Sequence, residues 1–142
     1  MASAELELQG AINTRLRADA PLVALVGTRV YDQPPTDSSG NVVATYPYVT
    51  IGEAQTLRDD ATCVSGRQVY LTLHAWSNAV GFPEVRRIAD AVTESLHLAP
   101  LALATNRLIS IMHRQTRTFR DADGLTSHAV IEFVANTEKP LA

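Results

Sequence analysis

Cysteine and lysine are almost absent from this 142-residue sequence, which contains only Cys63 and Lys139 of these two types. A single cysteine excludes an intramolecular disulfide bond, and a reducing compartment is then the default expectation. Arginine supplies the other basic residues. Because a guanidinium group suits desolvated ion pairs better than an ammonium group, this bias favours protein interfaces, although a genome rich in G and C would produce the same bias.

An excess of positive charge is also missing, since the net charge is −3 and the isoelectric point is near 5.7. Nucleic-acid binding proteins usually carry a basic surface, because phosphate neutralisation supplies much of their affinity. No apolar run reaches the roughly 18 residues of a membrane-spanning helix. Residues 1–5 do not resemble a signal peptide, so the sequence predicts a protein that starts in the cytosol.

What is present is typical of a globular protein, with 46% apolar and 19% charged residues. A chain of this length buries roughly two-thirds of the surface that its unfolded form exposes, so it needs no disulfide or metal to form a core. We expect one domain over residues 1–142.

Hydrophobic periodicity predicts two helices. Residues 3–18 repeat apolar side chains every four positions, with Ser3 as N-cap, and residues 82–98 carry an apolar stripe after Pro83. Residues 22–26 read as a short apolar turn. Strands are expected at 29–31, 46–53 and 67–77, and the polar segment 54–66 is expected to be a loop.

A long C-terminal hairpin is predicted from residues 107–119 and 126–136, with a turn at 121–124. With a three-residue loop ending in Gly124, Asp121 faces Leu125 and Ile111 faces Ala135. The same register pairs Arg114 with Glu132, which are of opposite charge. The elements together predict an α+β fold, with an antiparallel or mixed sheet of about four strands and two helices packed on one face.

Signals of catalysis are weak. The glycines are isolated, which excludes a phosphate-binding loop, and no nucleophile elbow is present. The four histidines lack metal-ligand spacing, and His113 points to the face opposite His128. We therefore expect no catalytic residues, no cofactor and no metal, and a protein that is not an enzyme.

Two features indicate a binding partner. The outer face of the strand 67–77 and of the hairpin is half-apolar, and it is either an association surface or is covered by the N-terminal loop or the 22–26 turn. Its members are Tyr70, His74, Trp76, Met112, Val130 and Val134. The segment 53–66 and the hairpin tip concentrate charges of both signs. The candidate interface residues there are Arg58, Asp59, Asp60, Arg117, Arg120 and Asp123.

The order of these elements resembles a known family. A first helix leads to Val-Gly-Thr-Arg-Val-Tyr at 26–31, then a proline-rich loop precedes Tyr-Pro-Tyr-Val-Thr-Ile at 46–51. The strand ending in His-Ala-Trp-Ser at 74–77 runs into the second helix, and the hairpin turns at Arg-Asp-Ala-Asp-Gly, 120–124. This order is similar to that of the tail terminators, or tail-completion proteins, of siphophages, prophages and gene transfer agents.

The resemblance implies a structural virion protein at the head-proximal end of the tail, assembled in the bacterial cytoplasm. Such subunits form a sixfold ring that ends polymerisation of the tail tube and presents a surface for head attachment. The implied partners are further copies of the chain, the tail tube protein and a head–tail connector, with DNA only passing through the lumen and no membrane.

Three alternatives remain open at this stage. A head–tail connector, or stopper, would differ only in its partners. A small metal-assisted hydrolase would use His74, His113 or His128, and a ligand-binding module would not assemble.

Overall fold

The computed structural model describes residues 3–140, which form three helices and a five-stranded sheet. The helices are α1 (Ala4–Ala18), α2 (Ala20–Val26) and α3 (Pro83–Leu96). The strands are β1 (Val30–Tyr31), β2 (Tyr48–Arg58), β3 (Val64–Ser77), β4 (Arg107–Arg120) and β5 (Ser127–Pro140). The predicted α+β class is confirmed, with one more helix and one more strand than the approximate count.

The N-terminal helices are set by their caps. The Ser3 hydroxyl accepts a hydrogen bond from the Leu6 amide at 3.1 Å, as the sequence predicts. The Asp19 carboxylate caps α2 by accepting from the Leu22 amide at 3.1 Å, and Gly27 ends that helix with a φ of 61°. The segment expected to be a turn at 22–26 is therefore helical, because Asp19 caps a new helix directly after α1.

The sheet has the strand order β1-β2-β3-β5-β4, in which only the β1–β2 pair is parallel. β3 lies in the middle and pairs with β5 from Val64–Pro140 to Ser77–Ser127. Its alternate side chains Val69, Leu73 and Ala75 are buried. Since β1 is only two residues long, the sheet has one short edge and one long edge, β4.

The expected loop at 54–66 is wrong, because β2 continues to Arg58 and β3 begins at Val64. A bulge between Ile51 and Ala54 changes which residues face each side of the sheet. Beyond it, the side chains at 55–60 are exposed, so the sequence carries no alternation of apolar and polar residues there. Backbone pairing, which does not depend on residue type, extends the strands.

The hairpin register is partly confirmed. Ile111 faces Ala135 as predicted, but a bulge between His113 and Gln115 shifts the pairing by one residue towards the turn. Gln115 therefore lies opposite Glu132, and the predicted pair of Arg114 and Glu132 is wrong.

The same shift changes the turn. The Asp121 amide donates to the carbonyl of Thr126 at 2.9 Å, so Asp121 does not face Leu125. The Gly124 amide donates to the Asp121 carbonyl at 2.9 Å, and the Gly124 φ of 72° is the left-handed conformation predicted for the loop.

All three helices lie on one face of the sheet, which we call the helix face. α3 packs against β3, β4 and β5, and α1 packs against β1, β2 and β3, while α2 contacts both α1 and α3. The largest fully buried side chain is that of Phe133, which enters this core from β5. The other side, called the open face, carries no helix within residues 3–140.

Candidate functional site

Aromatic side chains gather on the open face at the end of the sheet where β3 stops. The Trp76 indole stacks on the His128 imidazole, with ring centres 3.7 Å apart and planes inclined by 16°. Phe119 lies 4.8 Å from the same imidazole, and Tyr48 lies 6.1 Å from Trp76. These residues meet because Tyr48, Trp76, His128 and Phe119 occupy consecutive paired positions across β2, β3, β5 and β4. We call this group the aromatic row.

Two histidines connect the aromatic row to carboxylates. His74 Nδ1 lies 2.8 Å from His128 Nε2, and His74 Nε2 lies 2.9 Å from a Glu53 oxygen. The remaining nitrogen, His128 Nδ1, lies 3.4 Å from Asp121. One N–H proton on each imidazole suffices for the two short contacts, and none is then left for the longer contact with Asp121.

The electrostatics agree with that assignment. Burial, followed by the proximity of His74, lowers the pKa of His128. The hydrogen bond from His74 lowers the pKa of Glu53, so this carboxylate stays ionised and accepts. The arrangement can hold β2, β3, β5 and the hairpin turn together through side chains. It contains no nucleophile with a positioned base.

Gly52 is required for this arrangement. A Cβ atom at residue 52 would lie 2.6 Å from the His74 ring and 2.9 Å from the Thr72 carbonyl oxygen. The ring of His74 therefore packs directly on the β2 backbone. This explains how Glu53, the next residue, comes within hydrogen-bonding distance.

Part of the open face is covered. Residues 32–46 and the edge of the aromatic row line an open pocket of about 430 Å³, whose walls include Val42, Tyr46, Tyr48 and Trp76. The connection between β1 and β2 thus covers this corner, whereas α2 packs on the other face. Val130, expected to be part of an open patch, is buried.

The rest of the open face remains exposed. Met112 from β4 is exposed, and Tyr70 and Val134 are half-buried beside it. The Arg114 guanidinium lies 5.0 Å from the centre of the Tyr70 ring. This surface combines apolar and cationic groups, as protein interfaces commonly do.

The first candidate charged region is an ordered hairpin end. Asp60 lies 3.1 Å from the Arg58 guanidinium and 3.0 Å from that of Arg67, and it accepts from the Gly66 amide at 3.1 Å. The hydrogen bond from Arg58 lowers the pKa of Asp60. Asp59 pairs through its backbone amide with the Gly66 carbonyl at 2.9 Å. The structure thus brings Arg58, Asp59 and Asp60 together at the β2–β3 turn.

The second candidate region is the β4–β5 turn. Asp123 accepts from the amides of Leu125 and Thr126, both at 2.9 Å, and from the Thr126 hydroxyl at 2.7 Å. These bonds, of which the Thr126 amide contributes most, lower the pKa of Asp123. Arg120 lies 4.4 Å above the Phe82 ring, and Arg117 is exposed on β4.

The two regions lie at opposite ends of the sheet. The β2–β3 turn joins β3 near Val64, and the β4–β5 turn lies beyond the Ser77–Ser127 pair. Fourteen residues of β3 separate them, or about 45 Å at roughly 3.3 Å per residue. The six candidate interface residues therefore form two separate surfaces.

Two arrangements escaped the sequence analysis. The pairing of His74 with His128 depends on β3 lying beside β5, which no sequence signal indicated. The Glu7 carboxylate accepts from the amides and side chains of Thr105 and Asn106, at 2.8 to 2.9 Å. These bonds, led by that from the Asn106 side chain, lower the pKa of Glu7 to about 2.

Other side chains give no further site of this kind. Residues 3–140 contain no group of three or more histidine, cysteine, aspartate or glutamate side chains arranged to hold a metal ion. No helix among them is long and apolar enough to cross a membrane. The His97 imidazole accepts a hydrogen bond from the His113 amide at 3.0 Å, so these two histidines form a contact separate from the His74–His128 pair.

Comparisons with known proteins identify the family. No curated protein matches the sequence. A solved chain from a structure described as "Virion of native gene transfer agent (GTA) particle" is 29% identical, with a TM-score of 0.85. The match covers 97% of this chain and 99% of that one. The family model described as "Tail completion protein gp17" matches residues 10–138. The chain therefore belongs to the tail completion protein gp17 family, a family of structural proteins of the phage-type virion tail.

Proposed function

We propose that this protein forms a homohexameric ring on the head-proximal end of the tail tube, stops tube polymerisation and provides the surface for head attachment. The family match over residues 10–138 carries this proposal. The chain in the gene transfer agent virion supports it, because that chain has nearly the same length and fold. We further propose that residues 1–142 act as one domain and have no catalytic role.

The shape of the subunit fits a position between two partners. A ring that ends a tube and receives a head contacts different proteins on its two sides. The charged regions at the β2–β3 turn and the β4–β5 turn lie about 45 Å apart, at roughly 3.3 Å per residue of β3. Of the tail tube protein and the head–tail connector, we assign one to the turn with Arg58, Asp59 and Asp60 and the other to the turn with Arg120 and Asp123.

The composition also fits a passage for DNA. The net charge of −3 provides no strong attraction for phosphate groups. Strong phosphate contacts would slow the transit of DNA through a lumen, because each neutralised phosphate adds to the binding free energy.

Electron microscopy of particles made with and without the gene tests the function. We expect overlong tails without heads when the gene is absent. Tails of normal length without heads would instead assign the protein as a connector, and wholly normal particles would contradict the proposal.

Charge reversal separates the two ends. Asp59→Arg at the β2–β3 turn and Arg120→Glu at the β4–β5 turn should each impair a different junction, one with the tail tube and one with the head. Each variant reverses a charge of this chain that complements the surface of one partner. Arg87→Glu, on the exposed side of α3, is the matched control and should leave both junctions intact. Identical defects from Asp59→Arg and Arg120→Glu would contradict the assignment of one partner to each end.

A further inference from the structure

The edge strand β4 and the segment that follows β1 at the opposite edge carry opposite charges, and this difference indicates how copies of the chain contact each other. β4 is the long edge strand, and its backbone pairs with β5 on one side only among the described residues. An exposed edge strand of this length is a template for association with another chain.

The β4 edge is basic. The strand contains Arg107, Arg114, Arg117 and Arg120 and no acidic residue. Arg107 forms an ion pair with Glu138. Arg114 and Arg120 keep their charge while they lie over the rings of Tyr70 and Phe82, and Arg117 is exposed on the strand between them.

The β4 edge also exposes apolar side chains. Ile109 is 61% exposed, Met112 45% and Phe119 38%. Large apolar side chains interleaved with arginine are typical of protein interfaces.

The opposite edge carries an acidic segment. Residues 32–47, which follow β1, contain Asp32 and Asp37 and no lysine or arginine. Two guanidinium groups lie beside β1 itself, where Arg17 donates to the Val30 carbonyl and Arg29 to the Pro47 carbonyl. The Asp37 carboxylate accepts hydrogen bonds from the Asn41 and Ser39 amides, at 3.0 and 2.9 Å, and these lower its pKa. It therefore remains negatively charged at neutral pH.

The acidic edge exposes apolar side chains as well. Val42 is 51% exposed and Val43 is 55% exposed. β4 and residues 32–43 thus each combine exposed apolar side chains with charge of one sign, and the two signs are opposite. The edges lie about 20 Å apart across five strands, at roughly 4.8 Å per strand.

We infer that the β4 edge of one copy docks against residues 32–43 of the next copy, in a head-to-tail contact. A symmetric β4-to-β4 contact would bring arginines against arginines, which is unfavourable. Two complementary and distinct patches on one subunit generate a closed ring when the rotation between copies closes. The inference rests on the proposed function, since it specifies the contact within that ring.

Disulfide trapping tests the contact in assembled particles. In a Cys63→Ser background, Met112→Cys places one thiol on the β4 edge and Val43→Cys places one on the acidic edge. After oxidation, the double-cysteine protein should give a ladder of multimers on a non-reducing gel. Either single-cysteine protein should remain monomeric, because the contact brings unlike edges together.

Two outcomes of trapping overturn the contact. Dimers of the protein with Met112→Cys alone would show that β4 meets β4. A monomeric double-cysteine protein in particles that contain it would show that the two edges do not meet. In both cases tails that still need the gene would leave the proposed function intact.

Charge exchange provides a second test that does not depend on thiol geometry. Arg117→Glu and Asp32→Arg should each reduce the yield of completed particles about tenfold or more, the range expected for close charge pairs across an interface. The double variant should recover most of the yield, because the pair is restored with its signs exchanged. Equal losses in both single variants without recovery in the double variant would overturn the contact, and so would full yield in both single variants. Normal tails in particles made without the gene would instead overturn the proposed function.

Circular dichroism of each purified variant should match the wild-type protein, and Arg87→Glu again serves as control.

Discussion

The two faces of one sheet are built from different chemistry. On the helix face, β3 and β5 contribute Leu73, Ile131 and Phe133, which are buried in a continuous apolar core under α1 and α3. On the open face, the same strands contribute Trp76 and His128, which stack on each other, and His128 also lies 3.4 Å from the Asp121 carboxylate. The helix face is stabilised by the removal of apolar surface from water, and this hydrophobic contribution does not depend on the orientation of the side chains.

The contacts of the open face depend instead on the orientation of the groups. The rings must stack, the N–H proton of His74 and of His128 must lie on the nitrogen that donates, and residue 52 must lack a side chain. The difference teaches that the helix face stabilises the fold, while the open face and its edges keep a specific shape that a partner can recognise.

The largest effect should come from the helix face. Phe133→Ala should lower the free energy of unfolding by about 3–5 kcal/mol, because it leaves a cavity in the apolar core. Val134→Ala, at the next residue but on the half-buried open face, should cost less than half as much. Urea denaturation of both variants measures the difference. Equal costs would remove the distinction between the faces.

A substitution on the open face should act through a clash. Gly52→Ala should cost about 1–3 kcal/mol, since the new Cβ atom meets the His74 ring and the Thr72 carbonyl. The displaced His74 should also change the fluorescence of Trp76, the only tryptophan. Wild-type fluorescence and stability in this variant would contradict the close packing of His74 on β2.

A glycine-to-alanine substitution in α1 should raise the stability of the protein rather than lower it. Gly10→Ala places its Cβ atom where nothing lies within 4 Å, inside an exposed part of the helix. It should stabilise the protein by about 0.5–1 kcal/mol, because alanine favours the helix more than glycine does. Thermal unfolding measures this gain. A loss of stability would indicate that a partner or an unrecognised contact occupies that side of α1.

The smallest effect should be a pH dependence from the open face. The pKa of His128 is lower in the folded protein than its ordinary 6.5, so the unfolded chain binds more protons below that pH. The stability from His128 is therefore complete above about pH 6.5 and declines as the pH falls. The difference in the free energy of unfolding between pH 7 and pH 5 should be smaller for His128→Phe than for the wild-type protein. An equal or larger difference would contradict the assignment of a neutral His128.

Much of the fold could be predicted from local signals. The Ser3 cap, the apolar repeat of α1, the alternation in β3 and the turn at Gly124 each depend on a few neighbouring residues. The family resemblance was carried by their order and is confirmed by the match over residues 10–138.

The errors share a physical origin. The bulge at 113–115 and the extension of β2 and β3 into 54–66 are decided by backbone pairing between strands, which leaves little trace in side-chain patterns. The candidate interface residues at the β2–β3 turn were interpreted as loop residues. They are instead the ordered end of a hairpin held by Asp60.

By itself the sequence determined α1, α3, the main strands, the hairpin and the family, because periodicity, caps and turn residues act within a few positions of each other. The tertiary structure alone decided that β3 lies beside β5. This placement joins His74 to His128, separates the charged turns by the length of a strand, and puts the basic β4 and the acidic residues 32–47 at opposite edges. Contacts between residues distant in the chain depend on strand order, and strand order is set by how the whole apolar core closes.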